Sequence, residues 1–283
     1  MRFLTINLLH GGFLPWARED RARTAARLAL LAAELARLRP DVIAVQEALV
    51  AASPGAVATW LGQRLGYQVR FAKANPLIVP PPISHYLPAP LRARIDRAVA
   101  AALDFEEGSA ILTTLPIIER RAHALPRPNL PLENRVALRV RLGSRRGPLD
   151  VWNVHLTRPG GGHRRQVTAL VELVARESAG VPAIVLGDFN VSEETPGMRA
   201  LRAAGFRDAY RLLHSAAPGL TAWQRVVAPE PTVSRRVDYC WLAPGAGLDI
   251  LHSVVVLNRP GRGPDGTPLW PSDHYGLLTE IAA

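Results

Sequence analysis

Lysine is nearly absent from this chain of 283 residues: of its 34 basic side chains, only Lys73 is a lysine. The formal net charge of +10 is therefore carried by arginine. A basic balance fits nucleic acid, an anionic lipid or any phosphorylated substrate, and does not choose among them. The doublets Arg145-Arg146, Arg164-Arg165 and Arg235-Arg236 read first as solvated faces and only second as phosphate contacts. Cysteine is as scarce. Cys240 stands alone, which excludes an intramolecular disulfide framework. No apolar run approaches the roughly 18 residues that a membrane-spanning helix needs. The start, Met1-Arg2-Phe3-Leu4-Thr5-Ile6-Asn7, lacks the basic region, apolar stretch and small-residue cleavage site of a secretory signal. A cytoplasmic monomer is the expectation.

The length suits one large domain or two small ones, with ample chain to bury a core. Leu4, Ile6 and Leu8 alternate with Thr5 and Asn7, the period of a half-buried strand. Thr24 to Arg39 reads as a helix with Leu28, Leu31, Leu35 and Leu38 at helical spacing, ended by Pro40. Asp41 to Val45 is a buried strand that delivers Gln46-Glu47 at its end, and Ala56 to Leu65 is a second helix. Further strands are expected at Ser109 to Leu112, Val136 to Leu142 and Leu149 to Leu156, the first two separated by a proline-rich connection. In the last of these, alternation places Asn153 and His155 on one face and Trp152 and Val154 on the other. A helix over Gln166 to Glu177 precedes an apolar strand, Ala183 to Leu186, that runs into Asp188. Strands at Val237 to Leu242, Ile250 to Leu257 and Tyr275 to Ile281 finish the chain.

Two segments break this pattern. Asn75 to Pro90 carries six prolines and leads into a short helix from about Leu91 to Leu103, together an insertion at about 75–103. Asn258 to Pro271 is a Gly/Pro-rich loop. Long loops in a compact domain are usually functional or disordered, and both are read here as walls of a substrate cleft. Gly160-Gly161-Gly162 reads as a flexible turn rather than a phosphate cradle.

The chemistry lies in a few short motifs. Ser272-Asp273-His274 and Gly187-Asp188-Phe189-Asn190 each set a carboxylate beside a second polar group, and Gln46-Glu47 and Arg236-Val237-Asp238-Tyr239 add more. Metal-assisted attack on phosphate needs carboxylates for a hard cation, an imidazole, and an amide that donates to phosphate oxygens. Each residue alone has a plainer reading. Glu47 could be a surface glutamate, Asp188 and Asn190 an Asx turn, Asp238 the partner of an arginine, and His155 and His274 ordinary histidines. His10, His85, His123, His163, His214 and His252 receive no role.

The joint pattern outweighs these readings. Asn7, Gln46-Glu47, Glu107-Gly108-Ser109-Ala110-Ile111-Leu112, Asn153-Val154-His155-Leu156, Gly187-Asp188-Phe189-Asn190, Arg236-Val237-Asp238-Tyr239 and Ser272-Asp273-His274 follow one another in that order. From Thr5 to Tyr275 the chain resembles the endonuclease/exonuclease/phosphatase superfamily, which has the deoxyribonuclease I-like fold. The resemblance implies one domain over 1–283: an α/β, four-layered sandwich of two mixed β-sheets packed face to face, with helices outside. It implies that Glu47 is the main Mg²⁺ ligand, with Asn7 and Asp273 near the ion and Mn²⁺ as a substitute. Asp188 then orients or deprotonates the attacking water, Asn190 and His155 donate to non-bridging phosphate oxygens, and Asp238 supports His274 at the scissile phosphorus.

The first motif, Thr5-Ile6-Asn7-Leu8-Leu9, departs from the Trp-Asn-Val-Asn-Gly pattern of abasic-site endonucleases. Asn153-Val154-His155-Leu156, followed by Arg165 and Gln166, looks closer to the sphingomyelinase, deadenylase and general phosphodiesterase branches. The implied function is a Mg²⁺-dependent phosphodiesterase whose substrate is nucleic acid or a phospholipid head group. The alternative is a non-catalytic phosphate-binding or scaffold protein on the same fold.

Overall fold

A computed structural model of the chain describes residues 1–9, 21–51, 55–74, 91, 105–127 and 134–282. Apart from Leu91, the expected insertion at about 75–103 lies outside the described residues. The first half runs through β1 (Arg2–Asn7), α1 (Arg21–Leu38), β2 (Val42–Ala51), β3 (Gly55–Ala56), α2 (Val57–Leu65) and β4 (Gln68–Lys73). It continues through β5 (Phe105–Thr113), β6 (Ile117–Ala124), β7 (Val136–Ser144) and β8 (Gly147–His155). After α3 (Gly161–Glu177) come β9 (Ala183–Asp188), α4 (Pro196–Ala203), β10 (Arg207–Asp208) and α5 (Ala209–Leu213). The chain closes with β11 (Asp238–Leu242), β12 (Ile250–Val256), β13 (Gly261–Arg262), β14 (Pro268–Leu269) and β15 (Gly276–Ile281).

The strands form two sheets and a small hairpin, β13–β14. One sheet has the order β12-β15-β1-β2-β5-β4, with β3 beside β2, and the other has the order β10-β11-β9-β8-β7-β6. Each contains one parallel pair, β1–β2 and β8–β9, among antiparallel neighbours. A parallel pair needs a crossover, and α1 and α3 supply the two.

Alternation along the strands builds the layers. Phe3, Val42, Ala44, Ile111 and Leu277 of the first sheet meet Leu138, Val140, Val151 and Leu186 of the second in the central core. The opposite faces are also apolar. Leu4, Ile6, Ile43, Val45 and Leu112 pack on Leu28, Leu31, Leu35 and Leu61 of α1 and α2. Trp152, Val154, Val185 and Trp241 pack on Val167, Leu170, Met198 and Leu201 of α3 and α4. Strands buried on both faces lose the clean polar alternation of a one-sided sheet. The result is a four-layered α/β sandwich. Among the described residues no helix is long and apolar enough to cross a membrane.

Several boundaries differ from the sequence reading. Helix α3 begins at Gly161 rather than Gln166, so Gly161 and Gly162 are helical and do not form a flexible turn. Its early start is fixed by two buried side chains of the first turns: His163 faces Phe189, and Gln166 accepts from the Thr157 amide at 2.8 Å. The segment expected to be a proline-rich connection holds β6, the edge strand beside β7. Its outward charged residues hid it: Glu119 accepts from both Arg121 and Arg139. The 258–271 segment is a hairpin docked on α1, where Arg23 donates to Asp265 at 3.0 Å and to Thr267 at 2.8 Å.

One ion cluster ties the second sheet to its loops. Arg236, just before β11, donates to Glu193 at 2.7 Å and to Asp208 at 2.6 Å. Arg211 holds the same Glu193 at 2.8 Å, and Asp208 also caps α5 by accepting from the Tyr210 amide. The hydrogen bond from Arg211, aided by Arg236, brings the Glu193 carboxyl down to about 2 from 4.5. A depressed carboxyl pKa contributes stability that is complete above the unfolded value and lost as pH falls toward the folded one. The melting-temperature gap between wild type and Glu193→Gln should therefore be widest at pH 7 and shrink as pH falls from about 4.5 to about 2. A gap that stays constant across that window would show that the cluster contributes no charge-dependent stability.

Candidate active site

At one end of the sandwich the inward-facing positions change from apolar to polar in both sheets. Along β1 the inward series runs Phe3, Thr5, Asn7, and along β2 it runs Val42, Ala44, Gln46. The facing sheet does the same through Val151, Asn153 and His155 of β8, Leu186 and Asp188 of β9, and Cys240 and Asp238 of β11. Register puts Asn7 beside Gln46, and Asp188 between His155 and Asp238. All these side chains are buried.

Strict alternation would send Glu47 away from Gln46, toward α2. A bulge prevents this. The β2–β5 register shifts between Val45 and Ala48, and Glu47 has φ +50°, a left-handed value uncommon outside glycine. Gly108, opposite Ala48, is required there because a Cβ would come within 2.2 Å of the Ala72 carbonyl oxygen. Asn153 holds the distortion from the other sheet. Its amide donates to the carbonyls of Val45 at 2.9 Å and Ala110 at 2.8 Å, while its oxygen accepts from Gln46 at 2.7 Å.

Asn7 lies between two carboxylates. The atom 3.0 Å from Glu47 Oε1 and 3.1 Å from Asp188 Oδ2 must be its NH₂ group, and its oxygen accepts from the Leu9 amide at 3.0 Å. In this arrangement Asn7 orients Glu47 and Asp188. Ser272 joins the last motif to it, donating to the Asn7 carbonyl at 2.7 Å and accepting from the His274 amide at 3.2 Å. Burial raises the Asp273 carboxyl to about 6, with Glu47's negative charge adding to the effect and His274 opposing it. Two partly buried carboxylates whose negative charges repel form an oxygen-donor set that fits a hard divalent cation. Glu47, Glu107 and His155 also offer ligand atoms within 4.8 Å of one another.

Asp188 is the centre of the remaining groups. Its Oδ1 accepts from the Asn190 amide at 2.7 Å, an Asx turn in which Asn190 takes φ +57°. His155 Nε2 lies 3.5 Å from Asp188 Oδ2, and His274 Nε2 lies 3.9 Å from the same atom. Burial, reinforced by Asp238 and opposed by His274, raises Asp188 to about 7. The Asn190 side chain donates to the Leu156 carbonyl at 2.9 Å and touches His155 Nε2 at 2.9 Å.

His274 Nδ1 is 2.9 Å from Asp238 Oδ2. Burial alone would lower the ring's pKa, but Asp238 and Asp188 outweigh it and hold it well above 6.5. The arginine alternative for Asp238 is not what the structure shows: Arg236 bonds Glu193 and Asp208 instead. The contacts join all eight expected residues, Asn7, Glu47, His155, Asp188, Asn190, Asp238, Asp273 and His274, into one cluster. The sequence reading gave no role to Glu107, Arg135 or His163. Arg135 lies 2.8 Å from His155 Nδ1 and Asn190 Nδ2 lies 2.9 Å from Nε2, so donors face both ring nitrogens, and a neutral imidazole accepts at only one of them. His163 donates to the Phe189 carbonyl at 3.0 Å and so holds the turn between Asp188 and Asn190. Their signals were faint: single polar residues inside or beside apolar stretches.

A profile described as "Endonuclease/Exonuclease/phosphatase family" matches residues 4–274. Among solved structures, a mannosyl-6-phosphatase from Bacteroides thetaiotaomicron is similar, with TM-score 0.72, 16% identity and full coverage of both chains. The human Nocturnin catalytic domain with bound sulfate gives TM-score 0.69 and 21% identity over 100% of this chain and 94% of that one. A functionally unknown conserved protein from Enterococcus faecalis V583 gives TM-score 0.70 and 18% identity, with both chains fully covered. At these identities the structures share the fold. No curated protein matches the sequence.

Asn153→Leu keeps the volume but leaves the carbonyls of Val45 and Ala110 and the Gln46 amide without this partner. Denaturant unfolding should show a loss on the order of 2–4 kcal/mol, since each unsatisfied buried group costs about 1–3. Calorimetry should show weakened divalent-cation binding in the folded variant. Wild-type stability in Asn153→Leu would show that the bulge holds itself.

Proposed function

Because the chain belongs to the endonuclease/exonuclease/phosphatase family, we propose that it is a divalent-metal-dependent phosphodiesterase that directs water at a phosphate ester of a nucleic acid or phospholipid. One observation carries this reading: His155 and His274 both bring Nε2 to within 4 Å of Asp188 Oδ2, beside the oxygen-donor pair Glu47 and Asp273. Phosphate transfer needs positioning and charge neutralisation more than covalent chemistry, and this cluster is built for both.

Glu47 and Asp273 would hold Mg²⁺, or Mn²⁺ in its place, which when bound neutralises phosphate charge and lowers the pKa of water. Asp188 orients the attacking water and accepts its proton, and Asn7 and the Asn190 backbone amide hold its two oxygens in position. His274, kept as imidazolium by Asp238, donates from Nε2 to a phosphate oxygen as charge develops there. His155 turns Nε2 toward the same place, 3.5 Å from Asp188 Oδ2, and Asn190 adds an amide donor beside it.

Chelation should abolish turnover of bis-p-nitrophenyl phosphate, and Mg²⁺ or Mn²⁺ should restore it. Glu47→Gln should remove most activity while the melting curve stays cooperative. Full turnover by Glu47→Gln in chelator-treated buffer would refute the metal role.

His274→Ala should lower turnover by roughly 10²–10⁴-fold, the range for an acid–base group. Asp238→Asn should cost less, and the double variant should lose little beyond His274→Ala, since both act through one ring. A raised histidine pKa keeps the imidazolium through neutral pH and loses it as pH rises through that value. Removing the Asp238 charge should therefore move the alkaline limb of the rate profile to lower pH. Additive losses with an unmoved limb would reject the dyad.

A further inference from the structure

Trp223 is the one aromatic among the exposed large apolar side chains described, with 38% of its surface open. Its ring lies 6.5 Å from that of His274, centroid to centroid, at an interplanar angle of 81°. The exposed guanidinium of Arg235 lies over it, 5.4 Å from the ring centre. The segment that carries this ring is bonded to the Ser272-Asp273-His274 motif. Ala222 pairs with both Arg235 and His274, and the Gln224 amide donates to the Asp273 carbonyl at 2.6 Å. Gln224 is itself buried, and its side-chain oxygen accepts from the Thr232 amide and the Tyr275 hydroxyl, each at 2.8 Å. The Trp223 carbonyl accepts from Thr232 Oγ1 at 3.2 Å.

An apolar plane held open to solvent on an anchored backbone, next to the histidine of the site, has little reason to exist for packing. It is preorganised for a ligand, because its backbone need not order on binding. A planar aromatic group gains by stacking on such a ring, and stacking tolerates any base because each has a π-face. A quaternary ammonium would seek the same electron-rich ring through cation–π attraction, but Arg235 already holds that position and repels a second cation.

We propose that Trp223 and Arg235 form a subsite for a nucleobase attached to the phosphate held at His274. The site then takes nucleotide esters in preference to choline-type lipid head groups. This inference rests on the phosphoester reading above for the place of the phosphate.

Calorimetric titration of the whole protein in Ca²⁺ with adenosine 5′-monophosphate and, separately, with phosphocholine tests it. The nucleotide should bind at least about ten-fold tighter than phosphocholine. Trp223→Ala should raise its Kd about ten-fold and bring the ratio of the two affinities toward one. Trp223→Leu, which keeps apolar bulk without a plane and guards against a folding defect, should do the same, while Trp223→Phe keeps most of the preference. Equal wild-type affinities, or a ratio unchanged in folded Trp223→Ala or Trp223→Leu, would overturn the subsite. Turnover of a dinucleotide in Mg²⁺ is measured alongside. Trp223-dependent nucleotide binding without any turnover would overturn the esterase reading and leave the subsite standing. Turnover together with Trp223-independent binding would overturn the subsite alone.

Discussion

The side-chain amide of Asn153 crosses from one sheet to the other, and the geometry of the polar end of the sandwich depends on it. Packed sheets lie roughly 10 Å apart, and apolar side chains filling that gap would allow small slips of one layer on the other. An amide that bonds two carbonyls of β2 and β5 and a glutamine of β2 does not. With that contact fixed, the polar ends of β1 and β2 meet those of β8, β9 and β11 at one spacing. A buried amide in apolar surroundings is tolerable only when its hydrogen-bonding capacity is used, and here both ends of it are.

Around that contact the chain concentrates charge where water is scarce. Asp188, Asp238 and Asp273 sit with His155 and His274 above an apolar floor made by Val151, Leu186 and Cys240. Charges interact more strongly in such surroundings than in water, so Asp238 can hold an imidazolium that burial alone would neutralise. The same surroundings raise Asp188 and Asp273, which favours occupation by protons or cations over bare negative charge. Exposed aromatic and guanidinium groups at Trp223 and Arg235 begin where this enclosed region meets solvent.

Much of this was legible in the residues. Leu28, Leu31, Leu35 and Leu38 marked α1 because a helix packed on one sheet must repeat its apolar stripe every three to four positions. Asn153 and His155 were placed on one face of β8 by alternation alone, and the structure keeps them there. Strands β4 and β6 were missed because edge strands carry charged residues and lack a continuous apolar run. The position of Glu47 was legible only through the family motif, since no period predicts a bulge. Arg135 and His163 could not be found from sequence, because their roles come from contacts across 20 and 26 residues. The glycine run at 160–162 misled for a related reason: local preference for a turn yielded to the burial of His163 and Gln166.

The place of β15 between β12 and β1 bears on how the molecule is made. Strands β1 and β15, separated by most of the chain, are direct neighbours, with Arg2 opposite Glu280 and Thr5 opposite Leu277. During synthesis β1 can pair with β2 early, but its other edge stays unpaired until residues 276–281 emerge. A nascent chain therefore carries an open strand edge while residues 8–275 are made, the condition under which strands join the wrong partner. Contacts so distant in sequence also slow the closing step. Because Asp273 and His274 immediately precede β15, the sheet and the cluster are completed by the same event.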